Sequence, residues 1–378
     1  MRIGIVAGEI SGDKLGSGLL RSLKLQVPDL VAYGIGGPEM IREGLKPVAP
    51  MGEISVIGID GLLKNIVKIL KIRRLLVEHY IADPPDVFIG IDLPDFNLSL
   101  EKRLKKLGIL TVHYVSPTVW AWRTWRIKKI KEAVDHMLVL FPFERNFYAK
   151  HEVDVTFVGH PCADELPVKS KNELRVELNL PLGSEVVALL PGSRKNEVLN
   201  LSGPFLEAAK ILAKLRPDIQ FSIPYANENL RNIFLEKKSL IYPDIKLHEF
   251  FGNSLEVMAA SDAVLLASGT AALEATMLRR PMIVAYKMSK ISYMLASKLI
   301  QTPYISMPNN LVSASIIPEL LQSNANGLQL ANELIKILDN EEYSDEITTT
   351  LEMIYRELKN DANTKAANTV LALIQKLN

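Results

Sequence analysis

Cysteine is nearly absent: Cys162 stands alone in 378 residues. A lone thiol cannot close an internal disulfide, and its scarcity fits a reducing compartment. Net charge is lacking too, with 44 lysines and arginines against 43 acidic residues, a balance of +1. No global field draws such a chain to nucleic acid, although a local basic patch stays open. The opening MRIGIVAGE has none of the basic end, long apolar core and small-residue cleavage site of a secretory signal. The stretch AVLLASGTAALEATML is too short to span a bilayer and carries Glu274. The expectation is a cytoplasmic protein without a transmembrane helix, with peripheral membrane contact still open. There is no Asp-x-Asp, no histidine–cysteine cluster at metal-ligand spacing, no Gly-x-Ser-x-Gly and no Walker loop. A resident metal or cofactor is therefore not expected.

What is present is core material. Hydrophobic residues make up 48% of the chain and charged ones 23%, ample for two domains. Short apolar runs alternate with longer amphipathic ones. In the first half, strands are expected at Ile3–Ala7, Val31–Gly34, Val87–Ile91, Leu110–Tyr114, His136–Leu140 and Val155–Val158. Helices are expected between them at Lys14–Lys24, Gly61–Tyr80, Leu98–Leu107, Arg126–Ala133 and Phe143–Lys150. The second half repeats the style, with strands at Val186–Leu190, Gln220–Ile223, Ala263–Ala267 and Met282–Ala285. Its helices are expected at Leu201–Leu215, Asn227–Glu236, Thr270–Leu278 and Ile291–Leu299. Runs that are apolar from end to end suit parallel strands covered on both faces. The expected class is α/β: two doubly wound, Rossmann-like domains facing across a cleft, and a helical tail from about Leu328. Pro161 to Pro181 is polar, charged and proline-marked, and reads as the linker. That divides the chain into 1–165 and 166–359, with the C-terminal helix, about 360–378, free to pack back on the first domain.

Ligands of this architecture bind past the C-terminal ends of strands, so the segments after the strands are the candidate sites. VFIGIDLPDFN, residues 87–97, ends a strand on two carboxylates. Asp95 suits a helix N-cap. Asp92 precedes Pro94, which should hold Leu93 extended, so Asp92 is the less natural cap and the better functional candidate. In GEISGDKLG, residues 8–16, Gly8, Gly12 and Gly16 permit tight turns and close backbone approach, and Asp13 suits a cap of the helix that follows. Glu9 stands where a dinucleotide fingerprint needs its second glycine, and would repel a pyrophosphate. GIGG, residues 34–37, followed by Pro38, reads as a plain strand-to-helix turn.

HYVSPTVWAWR, residues 113–123, holds Trp120, Trp122 and Arg123, with Trp125 and Arg126 just after. These aromatics have equal claim to stack on a sugar ring or acyl chain and to anchor the segment in the core. In LLPGSRKNEV, residues 189–198, the planar fork of Arg194 can hold a diphosphate. In ASGTAALEATM, residues 267–277, Ser268, Gly269 and Thr270 open a helix whose free N–H groups and dipole favour an anion. Glu274, one turn in, is spaced to reach a ribose hydroxyl, or is an ordinary surface charge. Arg194 and this helix start fall in one domain, which favours a nucleotide-diphosphate site.

Taken together, VAGEISGD, VFIGIDLPDFN, VHYVSPTVWAWR, VGHP, LLPGSR and ASGTAALE, in this order and spacing, resemble the lipid-A-disaccharide synthases. The likeness runs from residue 3 to about 310 and loosely through the tail. It implies a GT-B glycosyltransferase of family 19 that condenses UDP-2,3-diacylglucosamine with 2,3-diacylglucosamine 1-phosphate (lipid X). The products are the β-1′,6-linked lipid A disaccharide 1-phosphate and UDP, formed with inversion at the cytoplasmic face of the bacterial inner membrane. Asp92 is then the base that deprotonates the acceptor's 6-hydroxyl. Arg194 and the helix start at Gly269 and Thr270 stabilise the leaving diphosphate in place of a metal. Asn309, in SMPNN, resembles a position implicated in activity, and Glu9, Ser11 and Gly12 fall on the acceptor side. The UDP-sugar is a substrate rather than a cofactor. The implied partners are UDP-diacylglucosamine, lipid X and the inner-membrane surface, with no nucleic acid, for a monomer or homodimer.

Residues 61–80 read GLLKNIVKILKIRRLLVEHY. At ~100° per residue, Leu62, Leu63, Ile66, Ile69 and Leu70 share a face, and Lys64, Lys68 and Lys71 oppose it. Arg73 falls in the apolar arc, its stem along lipid and its head snorkelling outward. A covering helix of an α/β domain needs such a face as well; acylated substrates favour membrane docking. Rival functions are another UDP-sugar enzyme of the same fold, such as a UDP-N-acetylglucosamine 2-epimerase, an NAD-dependent oxidoreductase, and a non-catalytic binding module. The missing glycine fingerprint opposes the oxidoreductase, and the pairing of a base with a diphosphate site opposes the module.

Overall fold

The computed structural model describes residues 1–378 except 56–61, 122–123, 167–168, 290–292, 295–301 and 378, and for 62–65 the backbone alone. The chain forms two compact units, Met1–Asp164 with Leu358–Asn378, and Glu165–Glu357.

The first unit holds strands β1 (Arg2–Ala7), β2 (Val31–Ile35), β3 (Leu45–Pro47), β4 (Val87–Ile91), β5 (Leu110–Tyr114), β6 (His136–Val139) and β7 (Val155–Phe157). All pair in parallel, in the order β3-β2-β1-β4-β5-β6-β7. Its helices are α1 (Ile10–Gln26), α2 (Pro38–Arg42), α3 (Leu62–Ala82), α4 (Pro94–Lys106), α5 (Ile127–Ala133), α6 (Pro142–Lys150) and α7 (Pro161–Asp164). Every residue of β4 and β5 is buried, as a sheet covered on both faces requires. Alternate side chains enter two different cores. Ile3, Ile5, Val87 and Ile89 join the cluster that includes Leu19 and Leu23 of α1, whereas Val6 and Phe88 join Leu76 and Tyr80 of α3 and Phe96 and Leu100 of α4.

The second unit has β8 (Val186–Leu190), β9 (Gln220–Tyr225), β10 (Leu247–Phe251), β11 (Ala263–Ala267), β12 (Met282–Tyr286) and β13 (Glu319–Leu321), in the parallel order β10-β9-β8-β11-β12-β13. Around it lie α8 (Lys171–Glu177), α9 (Lys195–Leu215), α10 (Glu228–Ile241), α11 (Ser254–Ala260), α12 (Thr270–Met277), α13 (Met307–Val312), α14 (Gly327–Asp339) and α15 (Glu341–Leu358). The last helix, α16 (Ala362–Gln375), belongs to the first unit, where Ala366, Val370 and Ile374 enter the α1 core. Gly18 on α1 makes room for it: a Cβ there would stand 2.5 Å from Asn363. Asp164 caps this helix, accepting from the N–H groups of Asp361 at 3.1 Å and Ala362 at 2.8 Å.

Several expectations need correction. The strands β3, β10 and β13 were not anticipated. All three are sheet edges, held by backbone pairing with little burial, so no apolar run announces them. The stretch read as a linker contains α7 and α8. Helices α1, α4 and α9 begin at Ile10, Pro94 and Lys195, several residues before the apolar period starts. GEISGDKLG, LPDFN and RKNEV are therefore mostly first turns rather than loops. Leu93 is left-handed at φ 47° and ψ 54°, not extended, and it is the N-cap residue of α4 while Asp95 sits inside the first turn. Asp13 lies within α1 and caps α2 instead, accepting from the N–H groups of Gly37 at 2.8 Å, Glu39 at 2.9 Å and Met40 at 3.0 Å. The helix expected at Ile291–Leu299 falls mostly outside the described residues.

Asp13 is 2% exposed, so its three donors have no water to fall back on. Asp13→Ala should lower the unfolding free energy by about 2–3 kcal/mol, with Asp13→Asn recovering part. Urea denaturation of the three proteins checks this; an Ala variant with an unshifted midpoint would contradict the cap.

Candidate functional site

Both sheets reverse their direction of growth once, between β1 and β4 in the first unit and between β8 and β11 in the second. Crossovers leave such a point on opposite faces, so the segments beyond the strand ends splay apart and leave a crevice. Asp92, Glu9, Ser11 and Gly12 follow the strands at the first point, and Arg194, Ser268, Gly269, Thr270 and Glu274 those at the second.

In the first unit Ala7 of β1 pairs with Ile91 of β4, so Gly8 and Asp92 emerge side by side. Gly8 admits Leu93: a Cβ on Gly8 would stand 2.4 Å from Leu93 Cδ2. Glu9 is the N-cap residue of α1; Glu9 and Ser11 are exposed and Gly12 is buried. Asp92 is half-buried, with φ at +49°. Its carboxylate makes no hydrogen bond or ion pair with any described residue. Asp95 is exposed and pairs with Arg126. After β5, Val115 is also left-handed, at φ +79°, which a β-branched residue rarely adopts. Strain of this kind gathers where a fold holds a backbone for use.

Glu144, 2% exposed at the start of α6, holds the segment after β5. It accepts from Trp120 Nε1 and from the Phe141 N–H, each at 3.1 Å. Burial pushes its carboxyl up to about 7, against the lowering pull of Phe141, Ser116 and Trp120. Trp120 meets Phe143 edge-on, and is thus a half-buried anchor, whereas Trp125 is 62% exposed. Trp122 and Arg123 lie outside the described residues. Sequence reasoning passed over Glu144; the Pro-Phe-Glu run after a strand is its only local signal.

In the second unit the crevice is a cavity of about 440 Å³ lined by Gly192, Arg194, Tyr225, Ser268, Thr270 and Glu274 among others. Glu197 shapes its rim. It accepts from the N–H groups of Ser193 and Arg194, both at 3.1 Å, and pairs with the Arg194 guanidinium at 3.0 Å. Gly192, at φ +124°, has no room for a side chain because Glu197 Cβ would lie 2.5 Å away. Arg194 is largely exposed, and an exposed pair of this kind is weak enough to give up to a phosphate. The first turn of α12 receives no side-chain cap, so its N–H groups face the cavity unclaimed by one. Glu197 was not anticipated, although its spacing from Arg194 is that of a capping box.

Asn309 is not among the cavity's lining residues. It is wholly buried, its amide donating to Ile317 O at 2.9 Å and Glu319 Oε1 at 2.8 Å and accepting from the Ile316 and Ile317 N–H groups. It staples the segment that leads into β13. On α3, Ile66 and Leu70 are exposed, but Ile69 is 9% exposed and packs with Ile72 and Leu76, which removes it from the outer patch. Val67, at 60% exposure, takes its place. Arg73 does not snorkel outward; it lies over the Phe96 ring at 5.1 Å and donates to Asp95 O at 3.2 Å. The side chains of Leu62 and Leu63 lie outside the described residues.

A family model described as lipid-A-disaccharide synthetase matches residues 3–374. The chain belongs to the lipid-A-disaccharide synthase family. A lipid-A-disaccharide synthase of Methylobacillus flagellatus is 45% identical over 378 residues, covering 99% of each chain. That of Pasteurella multocida is 44% identical, covering 99% of this chain and 96% of its own. Among solved structures, the UDP-GlcNAc 2-epimerase of Neisseria meningitidis bound to UDP-GlcNAc superposes with a TM-score of 0.65 at 14% identity, covering both chains fully. The glycosyltransferase of kitacinnamycin gives 0.65 at 16%, covering 98% of each. At these identities the solved structures establish the GT-B fold, and the family decides between transferase and epimerase. The activity of this lipid-A-disaccharide synthase family member is glycosyl transfer in lipid A biosynthesis.

The raised Glu144 carboxyl predicts a pH dependence. The folded chain holds this proton more tightly than the unfolded chain, so the contribution is complete below about pH 4.5 and is lost as pH rises through about 7. Glu144→Gln removes the titration. The stability of the parent minus that of the variant should therefore fall between pH 5 and 8, by up to about 3 kcal/mol. Urea unfolding across that range measures it, and a difference independent of pH would contradict the assignment.

Proposed function

We propose that this chain joins UDP-2,3-diacylglucosamine to 2,3-diacylglucosamine 1-phosphate, inverting the donor's anomeric centre without a metal. Asp92 takes the proton of the acceptor's 6-hydroxyl as that oxygen bonds to the anomeric carbon. The bond from that carbon to the UDP oxygen breaks, and the diphosphate leaves with the electron pair. Arg194 and the α12 N-terminus receive its charge. Glu274 reaches the ribose, Ser268, Gly269 and Thr270 hold the phosphates, and Glu9, Ser11 and Gly12 face the acceptor. Asn309 contributes by holding its segment in place. The observation that carries this reading is the Asp92 carboxylate, without a hydrogen-bond or ion-pair partner among the described residues, at one strand-order reversal, and an arginine and a helix start without a side-chain cap at the other. The bound UDP-GlcNAc of the Neisseria meningitidis epimerase lends support, since that protein shares the fold.

We further propose that the first unit docks on the cytoplasmic face of the bacterial inner membrane. No helix among the described residues is long and apolar enough to cross a membrane. Ile66, Val67 and Leu70 expose their side chains on α3. Helix α3 packs beside α4, and α4 beside α5. The groove along α4 and α5 carries Lys102, Arg103, Lys106, Arg126 and Lys129 against Asp95 and Glu132. Apolar side chains beside a basic groove suit an anionic bilayer surface, where each cation adds about 1 kcal/mol.

Release of UDP from the two lipid substrates is the assay. Asp92→Ala should lower turnover about 100-fold or more while leaving the fold intact. Arg194→Ala should weaken UDP binding, Arg194→Lys should restore only part, and a chelator should leave activity in place. Near-parental turnover of Asp92→Ala, or strict dependence on a divalent ion, would sink the mechanism. For docking, Ile66→Ser, Val67→Ser and Leu70→Ser together should reduce binding to anionic vesicles and improve solubility, and high salt should weaken the parent's binding only in part. A folded triple variant that binds vesicles like the parent would exclude this surface.

A further inference from the structure

The backbone at Asp92 is held in an uncommon conformation. Asp92 and Leu93 are consecutive non-glycine residues in the left-handed region, at φ +49° and +47°. Each pays a steric penalty there, so neighbouring groups must fix the pair. The Asp92 N–H donates to Tyr114 O at 2.9 Å, and Leu93 O accepts from the Phe96 and Asn97 N–H groups, both at 3.0 Å. These bonds constrain the nitrogen of the first residue and the carbonyl of the second. The peptide oxygen between the two residues is held by a side chain.

That side chain is Asn97. It is wholly buried one turn into α4, and its amide nitrogen donates to Asp92 O at 2.8 Å and Ile91 O at 3.2 Å, with Val6 O at 3.4 Å. Three carbonyl oxygens around one nitrogen settle which way the amide points. A carboxylate here would set acceptor against acceptor, and an apolar side chain would leave the Asp92 carbonyl unsatisfied. The seat of Asn97 is itself prepared by the neighbouring strands. Gly90 on β4 has no side chain, and a Cβ there would come within 3.0 Å of Asn97 Cβ and 2.1 Å of Glu101 Oε1. Glu101, the next turn of α4, is fixed by His113 Nδ1 at 2.7 Å, both fully buried, and His113 sits opposite Gly90 in the β4–β5 register. Gly90, Asn97, Glu101 and His113 form one polar plug beneath the Asp92 backbone.

We infer that Asn97 is a positioning residue for glycosyl transfer, aiming the Asp92 carboxylate by clamping the Asp92 carbonyl. This rests on the reading of Asp92 as the base. Asn97 touches no substrate; it acts through a backbone whose left-handed turn sets the direction of the Asp92 Cα–Cβ bond. Loss of the clamp lets Asp92–Leu93 relax toward ordinary dihedral angles, which swings the carboxylate away from the acceptor hydroxyl.

The test is a mutant cycle on the full-length protein, read as UDP release from the two lipid substrates. Asn97→Ala should lower kcat about 10- to 100-fold, the scale of a misplaced catalytic group, while KM for both substrates and the affinity for UDP stay within about twofold. In an Asp92→Asn background, where there is no base left to aim, Asn97→Ala should change the residual rate less than about twofold. If circular dichroism shows that Asn97→Ala does not fold, Asn97→Ser, which keeps one donor in a smaller side chain, carries the same cycle. Unchanged kcat in the folded Asn97 variant, or an equal loss in both backgrounds, overturns the inference and leaves the Asp92 reading standing. Near-parental kcat in Asp92→Asn overturns both.

Discussion

Pairing of β1 with β4 is the constraint on which the first unit depends. The sheet grows one way through β2 and β3, then the chain returns across α3 to lay β4 on the other side of β1. Only that return places Gly8 beside Asp92, segments separated by some eighty residues of chain. The second unit repeats the device with β8 and β11, which sets the Arg194 turn beside the start of α12. Parallel pairing makes both possible. All strands end on the same edge, so helix N-termini and strand C-termini gather there, with their N–H groups and short polar side chains turned outward.

Glycine and buried polar residues do the fitting at these edges. Gly8 yields space to Leu93, Gly90 to the Asn97–Glu101 turn, and Gly192 to Glu197. In each case the space is filled by the side chain of a neighbouring segment. Asp13, Asn97, Glu144 and Asn309 are all buried, and each binds backbone groups of a segment distant from its own surroundings in sequence or bent out of regular structure. An unmet N–H or carbonyl in such places is costly, so these side chains secure particular conformations rather than add bulk stability. Two of the left-handed turns of the first unit, at Asp92–Leu93 and at Val115, are each flanked by such a residue, Asn97 and Glu144 respectively.

The central strands were legible from the chain alone because their apolar runs report burial on both faces. β1, β4, β5, β8 and β11 emerged within a residue or so of their observed bounds. Of the four edge strands only β7 emerged, and β3, β10 and β13 did not, since a strand with one partner and an open flank needs no particular composition. Helix starts were misjudged for a related reason. Ile10, Pro94 and Lys195 begin their helices on turns rich in polar residues, glycine or proline, where an apolar period is hard to read. Periodicity sees the apolar part of a helix that covers the sheet, and polar or glycine positions such as Gly12, Asp13 and Asn97 are buried in these first turns without adding to it.

Residue chemistry and local order were enough to nominate Asp92, Arg194 and the Gly269–Thr270 helix start, because a charged or glycine-bearing turn after an apolar run is a local pattern. The motifs together were also enough to indicate the family to which the chain belongs. What the chain could not disclose is which side chains serve as fasteners. Asp13 looked like a cap for its own helix and caps another; Ile69 looked like part of an outer face and lies in the core; Asn309, nominated only by resemblance, is buried and staples the segment before β13. Each outcome turns on a partner distant in sequence or on which arc of a helix the sheet covers. Those facts come into being only when the strands pair and the helices settle, because hydrogen bonding and burial are properties of neighbours in space.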